Sequence, residues 1–381
     1  MSFSFQIIQS EGAARVGRVH TPHGSFDTPA FMPVGTHATV KAMTPEEVKE
    51  TGAQILLCNA YHLYLRPGQD LVREMGGLHA FMNWKGPILT DSGGFQVYSL
   101  APLRTIDEAG VTFRSHIDGT EQRFTPESVM HLQHDLGADI IMCLDECTPY
   151  PVTYEYAQKS IALTIRWAER CRAAHPQSEQ ALFGIVQGGV FRDLRAQCAE
   201  ALIAMDFPGY ALGGLMIGED KDLTWSICHD MNQQIPASKP RYLMGVGRPE
   251  DFLNAIAHGI DMFDCVVPTR LARMGHFLTW QGRRTIKQAR FRRDKNPPDP
   301  QCPCYCCQNY SLAYLRHLFQ AGEILAARLA TLHNLTFFQS FMQCCRREIQ
   351  QGTFQSFRES WFRRQGQSSI DSSLQPPDSS L

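Results

Sequence analysis

The feature that most constrains the fold of this chain is a series of eight short apolar runs separated by longer segments. The runs are TPAFMPVG (28–35), AQILLCNA (53–60), PILTDSGG (87–94), ADIIMCLDE (138–146), LFGIVQGG (182–189), GYALGGL (209–215), PRYLMGVG (240–247) and DMFDCVVP (261–268). Buried strands that alternate with helices form a parallel sheet, and eight such units close into a barrel. We therefore predict an α/β fold, a (β/α)8 TIM barrel.

Helix signals lie between several of these runs. TPEEVKETG begins at Thr44 and TPESVMHLQHDLG begins at Thr125. In both, a threonine precedes a proline and an acidic residue, which is typical of a helix N-cap followed by its first turn.

Polar residues follow the apolar runs at equivalent points. Asp91, Asp145, Gln187 and the pair Gly213–Gly214 stand at the carboxyl ends of their runs, and Asp264 lies within its run. Barrel enzymes build their active sites at the carboxyl ends of the strands. For any one of these residues, a buried, hydrogen-bonded polar group is a fair alternative; the set predicts an active site.

A cluster of cysteines near the C-terminal third predicts a metal site. Cys302-x-Cys304-x-x-Cys307 and His333 offer three thiolates and one imidazole, the ligand set of a closed, structural zinc site. Cys306 is a surplus thiol that leaves the third ligand open. The alternative is a set of incidental thiols, which would be exposed to oxidation without a metal.

The charge distribution predicts a polyanionic partner, although the net charge of the chain is only -2. Residues 270–364 contain 16 Lys and Arg against 5 Asp and Glu. The densest stretch is RRTIKQARFRRDK (283–295), just before the cysteine cluster. Such an imbalance favours a phosphate-binding surface, with a solvated loop as the alternative.

We divide the chain into a catalytic barrel (1–280), a zinc-binding subdomain with closing helices (281–367) and a tail (368–381) without a core-forming pattern, which we expect to be disordered. No apolar run approaches the roughly 20 residues that span a bilayer, and the N-terminus lacks the features of a signal peptide. The 13 cysteines favour a reducing compartment. We expect a cytoplasmic protein with no membrane partner.

Two aspartates suggest the chemistry. Asp91 lies in LTDSGGFQ, where Gly93–Gly94 permit close approach of a ligand, and Asp264 lies among apolar neighbours in DMFDCVVPTR. A carboxylate at an apolar site costs solvation free energy unless it is paired or used. Two carboxylates that flank one reacting centre suit glycosyl transfer with retention of configuration. The residues alone do not establish that the two are paired.

The motifs LTDSGGFQ, GIVQGG, GGLMIGE, YLMGVG, MFDCVVPTR and CxCxxC…H occur in this order. In this respect the chain closely resembles the bacterial type of tRNA-guanine transglycosylase, also called queuine tRNA-ribosyltransferase, from about Phe5 to about Arg364. The resemblance implies a pentosyltransferase of queuosine biosynthesis. It would replace guanine at wobble position 34 of G-U-N anticodons, in the tRNAs for Asp, Asn, His and Tyr, with a 7-deazaguanine.

The resemblance also implies roles for the two aspartates. Asp264 is the expected nucleophile on ribose C1′, and Asp91 is the expected general acid and base, in a double displacement through a covalent tRNA–Asp264 intermediate. The incoming base is expected to be 7-aminomethyl-7-deazaguanine (preQ1), with queuine as the alternative. Met216–Ile217, where the family often has a small residue and Val, lie beside the expected exit of the 7-substituent.

Further contacts are implied in the same way. Asp145 would accept from the purine N1–H and amine, while the Gln187 amide and the Gly214 N–H would donate to O6. The expected substrate-binding residues are Asn59, Ser92, Gly93, Gly94, Phe95, Gln96, Asp145, Gln187, Gly214, Leu215, Glu219 and Met244. Phe95 and Met244 would sandwich the base, and Glu219 would orient the Leu215 carbonyl toward the 7-substituent. The expected tRNA-binding residues are Gly245, Val246, Gly247, Arg248, Thr269, Arg270, Leu271, Ala272 and Arg273.

The resemblance favours one structural Zn²⁺ per chain, held by Cys302, Cys304, Cys307 and His333, and a homodimer. Two other functions are also compatible with the sequence. One is a non-catalytic tRNA-binding subunit of a transglycosylase heterodimer, which the presence of both Asp91 and Asp264 disfavours. The other is a barrel glycoside hydrolase, which the expected purine contacts and the basic segment disfavour.

Overall fold

The computed structural model of the protein describes residues 3–100, 104–175 and 179–364, so the predicted tail (368–381) lies outside the described residues. The strands are β1 (Ser4–Glu11), β2 (Ala14–Thr21), β3 (Gly24–Thr28), β4 (Ala30–Pro33), β5 (Leu56–Cys58), β6 (Ile88–Thr90), β7 (Arg104–Asp107), β8 (Gly110–Arg114), β9 (Glu121–Phe124), β10 (Ile140–Met142), β11 (Ala181–Val186), β12 (Gly209–Leu212), β13 (Arg241–Leu243), β14 (Met262–Cys265), β15 (His276–Thr279) and β16 (Gly282–Thr285).

The helices are α1 (Pro45–Glu50), α2 (Ala60–Leu65), α3 (Gln69–Glu74), α4 (Gly77–Phe81), α5 (Gly94–Leu100), α6 (Pro126–Leu136), α7 (Tyr154–Ala174), α8 (Arg192–Ala204), α9 (Lys221–Gln234), α10 (Pro249–Ala257), α11 (Val267–Arg273), α12 (Tyr305–Asn309), α13 (Leu312–Ala321), α14 (Ile324–Gln351) and α15 (Phe354–Arg364). A 3-10 turn spans Ala289–Arg293. Throughout the described ranges, every helix is too short or too polar to cross a membrane.

Eight parallel strands form the barrel, in the order β4-β14-β13-β12-β11-β10-β6-β5. The ring closes between its two ends, where Val34 forms a parallel bridge with Leu57 and the Gly35 N–H donates to the Leu57 carbonyl at 2.6 Å. Closure pairs the backbone groups that an open sheet would leave at its edges. The interior is filled by side chains such as Met32, Phe183 and Met262, all almost fully buried.

The predicted barrel is confirmed strand by strand, because each of the eight apolar runs provides one of these parallel strands. The predicted helix starts are also confirmed. Thr44 and Thr125 accept from the backbone N–H groups of Glu47 and Ser128, and each forms a reciprocal capping box. These contacts satisfy donors that a helix start would otherwise leave without partners.

An antiparallel sheet of β1, β2 and β3, which the sequence pattern did not predict, covers the amino end of the barrel. Asp139 anchors it: this buried carboxylate accepts from the backbone N–H groups of His23 and Ile88, and both its oxygens also bond imidazoles. His23 Nδ1 lies 2.9 Å from one oxygen and His79 Nε2 lies 3.1 Å from the other. The two rings are stacked, with centroids 3.5 Å apart and planes at 15°. One metal ion could not lie in both ring planes, so this group is a hydrogen-bonded clamp.

The C-terminal helices differ from the prediction in where they break. The sequence pattern predicts one helical stretch, LAYLRHLFQAGEILAARLATLHN (312–334), and a second, TFFQSFMQCCRREIQ (336–350). The chain instead breaks at Gly322 and then runs as α14 through Gln351. Gly322 has φ 76°, a conformation that ends a helix at little cost only in glycine. α14 packs on the barrel: the Phe338 ring lies 4.8 Å from Phe31, centroid to centroid.

Candidate active site and metal site

A cavity of about 470 Å³ opens at the carboxyl ends of the barrel strands. It brings together both predicted catalytic residues and eleven of the twelve predicted substrate-binding residues. Its lining includes Asn59, Asp91, Ser92, Gly93, Gly94, Phe95, Gln96, Asp145, Gln187, Gly214, Leu215, Met244 and Asp264. The twelfth, Glu219, lies behind the lining.

Asp91 directly follows β6, and its carboxylate is held by the end of the neighbouring strand. The Asn59 side-chain amide donates to Oδ2, and the Ala60 N–H donates to Oδ1 at 2.8 Å. Burial raises the pKa of Asp91 to about 6; the nearby charge of Asp264 also raises it, while these donors act in the opposite direction. A carboxyl group with this pKa can both give and take a proton near neutral pH.

Asp264 lies on β14 and is oriented by β13 and the turn that follows it. The Tyr242 hydroxyl donates to Oδ1 at 2.6 Å, and the Gly245 N–H donates to the same oxygen at 3.0 Å. Within the described residues both donors approach Oδ1, so Oδ2 is the oxygen available to a reacting carbon. Burial raises the pKa of Asp264, and both hydrogen bonds act to lower it.

Asp145 and Gln187 form the opposite wall. Gln187 Nε2 donates to Asp145 Oδ2 at 2.6 Å, and the Ser92 hydroxyl donates to Oδ1 at 3.4 Å. A Cβ on Gly94 would lie 2.9 Å from Asp145 Oδ1, so only glycine permits this approach. Burial raises the pKa of Asp145 to about 6. Gln187 Oε1 is buried and has no hydrogen-bond partner among the described residues.

Glu219 holds the turn after β12. Its Oε1 accepts from the Met216 N–H at 2.5 Å, and its Oε2 accepts from the Ile217 N–H at 3.0 Å. The Met216 N–H belongs to the same peptide unit as the Leu215 carbonyl, so this contact also sets the direction of that carbonyl. Met216 itself has φ 61°, an unfavourable conformation for a residue with a side chain.

The predicted tRNA-binding stretches contribute both exposed and buried side chains. Arg248, Arg270 and Arg273 are exposed, and Arg270 also lines the cavity. The buried or partly buried members are Val246, Gly247, Thr269, Leu271 and Ala272, and Gly245 is exposed. The three arginines are therefore the side chains of these stretches that an RNA phosphate or base can reach.

The basic segment (283–295) is folded but largely exposed. It forms β16 and the 3-10 turn, and Phe291 is its buried anchor. Arg283, Lys287 and Arg290 are exposed beside it. Such side chains offer positive charge to a polyanion.

The four predicted metal ligands converge. The ligand atoms of Cys302, Cys304, Cys307 and His333 all lie within 4.8 Å of one another, and Cys306 is outside the group. His333 Nδ1 lies 3.6 Å from Cys304 Sγ and 3.2 Å from Cys307 Sγ. The other ring nitrogen, Nε2, lies 2.9 Å from the Leu278 carbonyl, which holds Nδ1 toward the sulfurs. This donor set fits a metal ion, and the second hydrogen bond on the imidazole is typical of metal ligands.

Sequence reasoning missed two residues that shape the site. Tyr242, inside the run of β13, bonds the Asp264 carboxylate. Arg195, on α8, is fully buried and donates to main-chain carbonyls beside the cavity. The sequence shows only that the tyrosine lies in a buried strand and that the arginine lies on the inner face of an amphipathic helix. Neither pattern identifies the group to which the side chain bonds.

The raised pKa of Asp145 predicts a pH-dependent stability. An acid whose folded pKa lies above its ordinary value of 3.8 costs stability when it ionises, so the cost is absent below about pH 4 and complete above about pH 6. Asp145→Asn should therefore increase the free energy of unfolding at pH 8 by up to about 3 kcal/mol, given roughly 1.4 kcal/mol per pKa unit. The gain should fade as the pH falls to 4, which urea unfolding at both pH values measures.

Asp107→Asn is the matched control. The pKa of this exposed carboxylate is lowered, chiefly by the hydrogen bond from Arg123, so its replacement should reduce stability at pH 8 and have little effect at low pH. An Asp145→Asn gain that is the same at pH 4 and pH 8 would contradict the assignment of a strained, ionised carboxylate.

Comparison with known proteins identifies the family of this chain. The profile of the family described as queuine tRNA-ribosyltransferase matches residues 10–367. The queuine tRNA-ribosyltransferase of Desulforamulus reducens is 57% identical over 350 residues, which cover 92% of this chain and 95% of the relative. That of Thermoanaerobacter sp. is 56% identical over 354 residues, 93% and 94% of the two chains. That of Ruminiclostridium cellulolyticum is 55% identical over 366 residues, 95% and 98%. The chain belongs to the queuine tRNA-ribosyltransferase family.

Proposed function

We propose that this enzyme, a pentosyltransferase, exchanges guanine at wobble position 34 of tRNAs with G-U-N anticodons for a 7-deazaguanine, as a step of queuosine biosynthesis. The observation that supports it most is the meeting of Asp91 and Asp264 in one cavity, opposite Asp145 and Gln187. Two carboxylates can exchange a glycosidic bond with retention, and the opposite wall matches the edge of a guanine.

In the first displacement, Asp264 Oδ2 attacks ribose C1′. The new C1′–O bond forms as the C1′–N9 bond breaks with its electron pair on the departing purine. The Tyr242 and Gly245 donors hold the other carboxylate oxygen, so the attacking oxygen is presented in one orientation. Asp91 supplies the proton that neutralises the purine, a role consistent with its pKa of about 6.

In the second displacement, the incoming base gives its N9 proton to Asp91 and attacks C1′, which releases the Asp264 carboxylate. Two inversions at C1′ restore the original configuration. Exchange requires that water does not reach the ester first. The narrow cavity and an anticodon loop over its mouth would exclude water, after the target base has left its stack.

Base recognition uses the wall opposite the carboxylates. Asp145 accepts from N1–H and the exocyclic amine, and it must first give up its contact with Gln187 Nε2, which is then free to donate to O6. Only a carboxylate accepts from both adjacent N–H groups of guanine. Phe95 and Met244 line the cavity at the positions proposed for the faces of the base.

The incoming base that we propose is preQ1, with queuine as the second candidate. Met216 and Ile217 line the cavity beyond Leu215, where the 7-substituent would leave. Both side chains are larger than those common in the family, so they reduce the space for the bulkier substituent of queuine.

The segment 281–367 is proposed as the tRNA-gripping subdomain after the barrel segment 1–280, with a structural zinc ion on Cys302, Cys304, Cys307 and His333. The donor set of three sulfurs and one imidazole is the one that zinc prefers, and four protein ligands leave no position for a substrate. The ion would supply rigidity. The exposed basic residues beside it would bind phosphates, which makes tRNA binding salt-dependent.

A non-catalytic tRNA-binding subunit is the second candidate, and the fully formed carboxylate pair disfavours it. We also propose a homodimer, consistent with an aromatic cluster at the surface. The rings of half-buried Tyr310 and exposed Tyr314 stack with centroids 5.4 Å apart, and exposed Tyr305 adjoins them. The 13 cysteines, all within the described residues, form no disulfide, which supports a reducing, cytoplasmic location.

The proposed exchange predicts that labelled guanine enters unmodified tRNA when enzyme is added. Asp264→Asn should abolish both this incorporation and the denaturation-resistant tRNA–enzyme adduct, because the amide is not a competent nucleophile. Filter binding of label and denaturing electrophoresis measure the two outcomes. Absence of incorporation by folded wild-type enzyme would eliminate the proposed function, and an adduct that persists in Asp264→Asn would reassign the nucleophile.

Competition among bases tests whether Met216 and Ile217 limit the size of the 7-substituent that the cavity accepts. PreQ1 should have a lower KM than queuine, and Met216→Ala should improve the kcat/KM of queuine by about tenfold, since relief of a steric conflict of a few methylenes is worth 1–3 kcal/mol. Incorporation of each base under matched conditions gives the ratio. A wild-type preference for queuine would reverse the assignment of the incoming base.

The metal assignment predicts different outcomes for two neighbouring cysteines. Cys304→Ser should lose zinc and weaken tRNA binding by at least about tenfold, the usual cost of disturbing a metal site, while the barrel stays folded. Cys306→Ser is the control, because this thiol is buried outside the ligand group and should keep its full zinc content. Metal analysis and tRNA titration measure both; unchanged zinc in Cys304→Ser would refute the ligand set.

A further inference from the structure

Arg195 is a buried cation placed directly behind the proposed purine pocket. It lies on α8 and is 0% exposed. Its Nε donates to the Gly189 carbonyl at 2.7 Å, and its Nη1 donates to the Val186 carbonyl at 3.2 Å. These two residues bracket Gln187, so the guanidinium fastens the turn from which Gln187 enters the cavity.

The same guanidinium also fastens the neighbouring turn. Its Nη2 donates to the Gly213 carbonyl at 2.9 Å and to the Gly214 carbonyl at 3.4 Å. One side chain therefore connects the carboxyl ends of β11 and β12. No ion pair among the described residues includes Arg195, so all of its hydrogen bonds go to main-chain carbonyls. The negative charge of Glu219 acts on Arg195 without direct contact. A buried cation that is not directly paired with an anion is costly, and its retention calls for an explanation.

The geometry of one peptide unit provides that explanation. The Gly213 carbonyl and the Gly214 N–H belong to the same trans peptide, so they point in opposite directions. Arg195 holds the carbonyl end, which directs the N–H end away from the guanidinium. A positive charge at the carbonyl polarises the unit and strengthens its N–H as a donor.

The packing around this peptide leaves little freedom. A Cβ on Gly213 would lie 2.5 Å from Gln187 Nε2, and one on Gly214 would lie 2.5 Å from Gln187 Oε1. Gly214 has φ 62°. The Gln187 amide and the Gly213–Gly214 peptide therefore pack face to face with α8 behind them.

We propose that Arg195 is a positioning residue that aims the Gly214 N–H at O6 of the departing purine and strengthens it there. This inference rests on the proposed function. When the C1′–N9 bond breaks, the purine takes the electron pair and the negative charge spreads onto O6. A preorganised donor at that atom stabilises the transition state more than the ground state. Burial lowers the pKa of Arg195 to about 10, which leaves it protonated at neutral pH.

Three variants separate this role from simple structural support. Arg195→Gln removes the charge, and Arg195→Lys keeps it but offers fewer donors. Arg241→Gln is the matched control. Arg241 is also buried and donates to main-chain carbonyls, of Ile235 at 2.8 Å and Gly259 at 3.3 Å, but it lies at the amino end of β13.

The test combines exchange kinetics with the binding of two purines. Arg195→Gln should lower kcat for guanine exchange by about 100-fold, the usual cost of losing one oxyanion donor, with the KM for tRNA nearly unchanged. It should raise the inhibition constant of free guanine by about tenfold. The inhibition constant of 2-aminopurine, which lacks O6, should stay unchanged within about twofold. Arg195→Lys should give intermediate values. Arg241→Gln should lower thermal stability without altering the ratio of the inhibition constants of guanine and 2-aminopurine.

If Arg195→Gln weakens the binding of both purines equally, or leaves kcat unchanged, the inference is overturned. If Arg195→Gln does not fold, Arg195→Lys decides: an unchanged purine ratio refutes the role. Wild-type enzyme that incorporates no guanine would defeat the proposed function itself. Active wild-type enzyme with an unaffected Arg195→Gln would defeat this inference alone.

Discussion

Closure of the parallel sheet is the constraint on which the site depends. The Gly35 N–H that donates to the Leu57 carbonyl joins the first and second barrel strands, which completes a ring of backbone hydrogen bonds. In such a ring all carboxyl ends face the same way. Asp91 and Asp264, 173 positions apart in the chain, therefore open into one cavity. The arrangement follows from strand direction before any side chain interacts.

The buried carboxylates of this cavity cost solvation free energy. Asp91, Asp145 and Asp264 all have pKa values raised by burial. Each is nonetheless held by amide, hydroxyl or backbone N–H donors. The cations near the cavity sit elsewhere: Arg195 lies behind the wall and Arg270 lies at the rim. A carboxylate paired directly with a guanidinium would stay ionised and would be a poor proton carrier, so this separation preserves the reactivity of the carboxylates.

The barrel could be predicted from the sequence because its signals are local. Five of the eight apolar runs end in glycine or a polar residue, and the threonine N-caps of α1 and α6 need only three following residues. The N-terminal sheet could not be predicted, because β1 is largely exposed and its alternation is weak. The break at Gly322 was missed because the apolar pattern continues across it, and only the left-handed conformation of Gly322 ends the helix.

Within the site, residue types were predictable and orientations were not. Aspartates at strand ends are visible in a sequence. The Tyr242–Asp264 bond depends on register between two strands, in which Tyr242 pairs with Met262, so that its hydroxyl reaches the residue two positions further along. The role of Arg195 depends on which carbonyls lie within reach of one helix face. Such facts arise only when distant segments are packed together.

The contact between α14 and β4 has a consequence for the order of events during synthesis. Gln339 donates to the Phe31 carbonyl at 3.1 Å, and Arg346 donates to the Pro29 carbonyl at 2.6 Å. The first barrel strand thus remains without its cover until residues more than 300 positions later have left the ribosome. Both predicted catalytic residues therefore leave the ribosome well before α14 does. Because domains generally fold as units, the barrel is completed only after α14 has also emerged. A nascent chain truncated before α14 would expose the apolar flank of β4 and would be a substrate for chaperones.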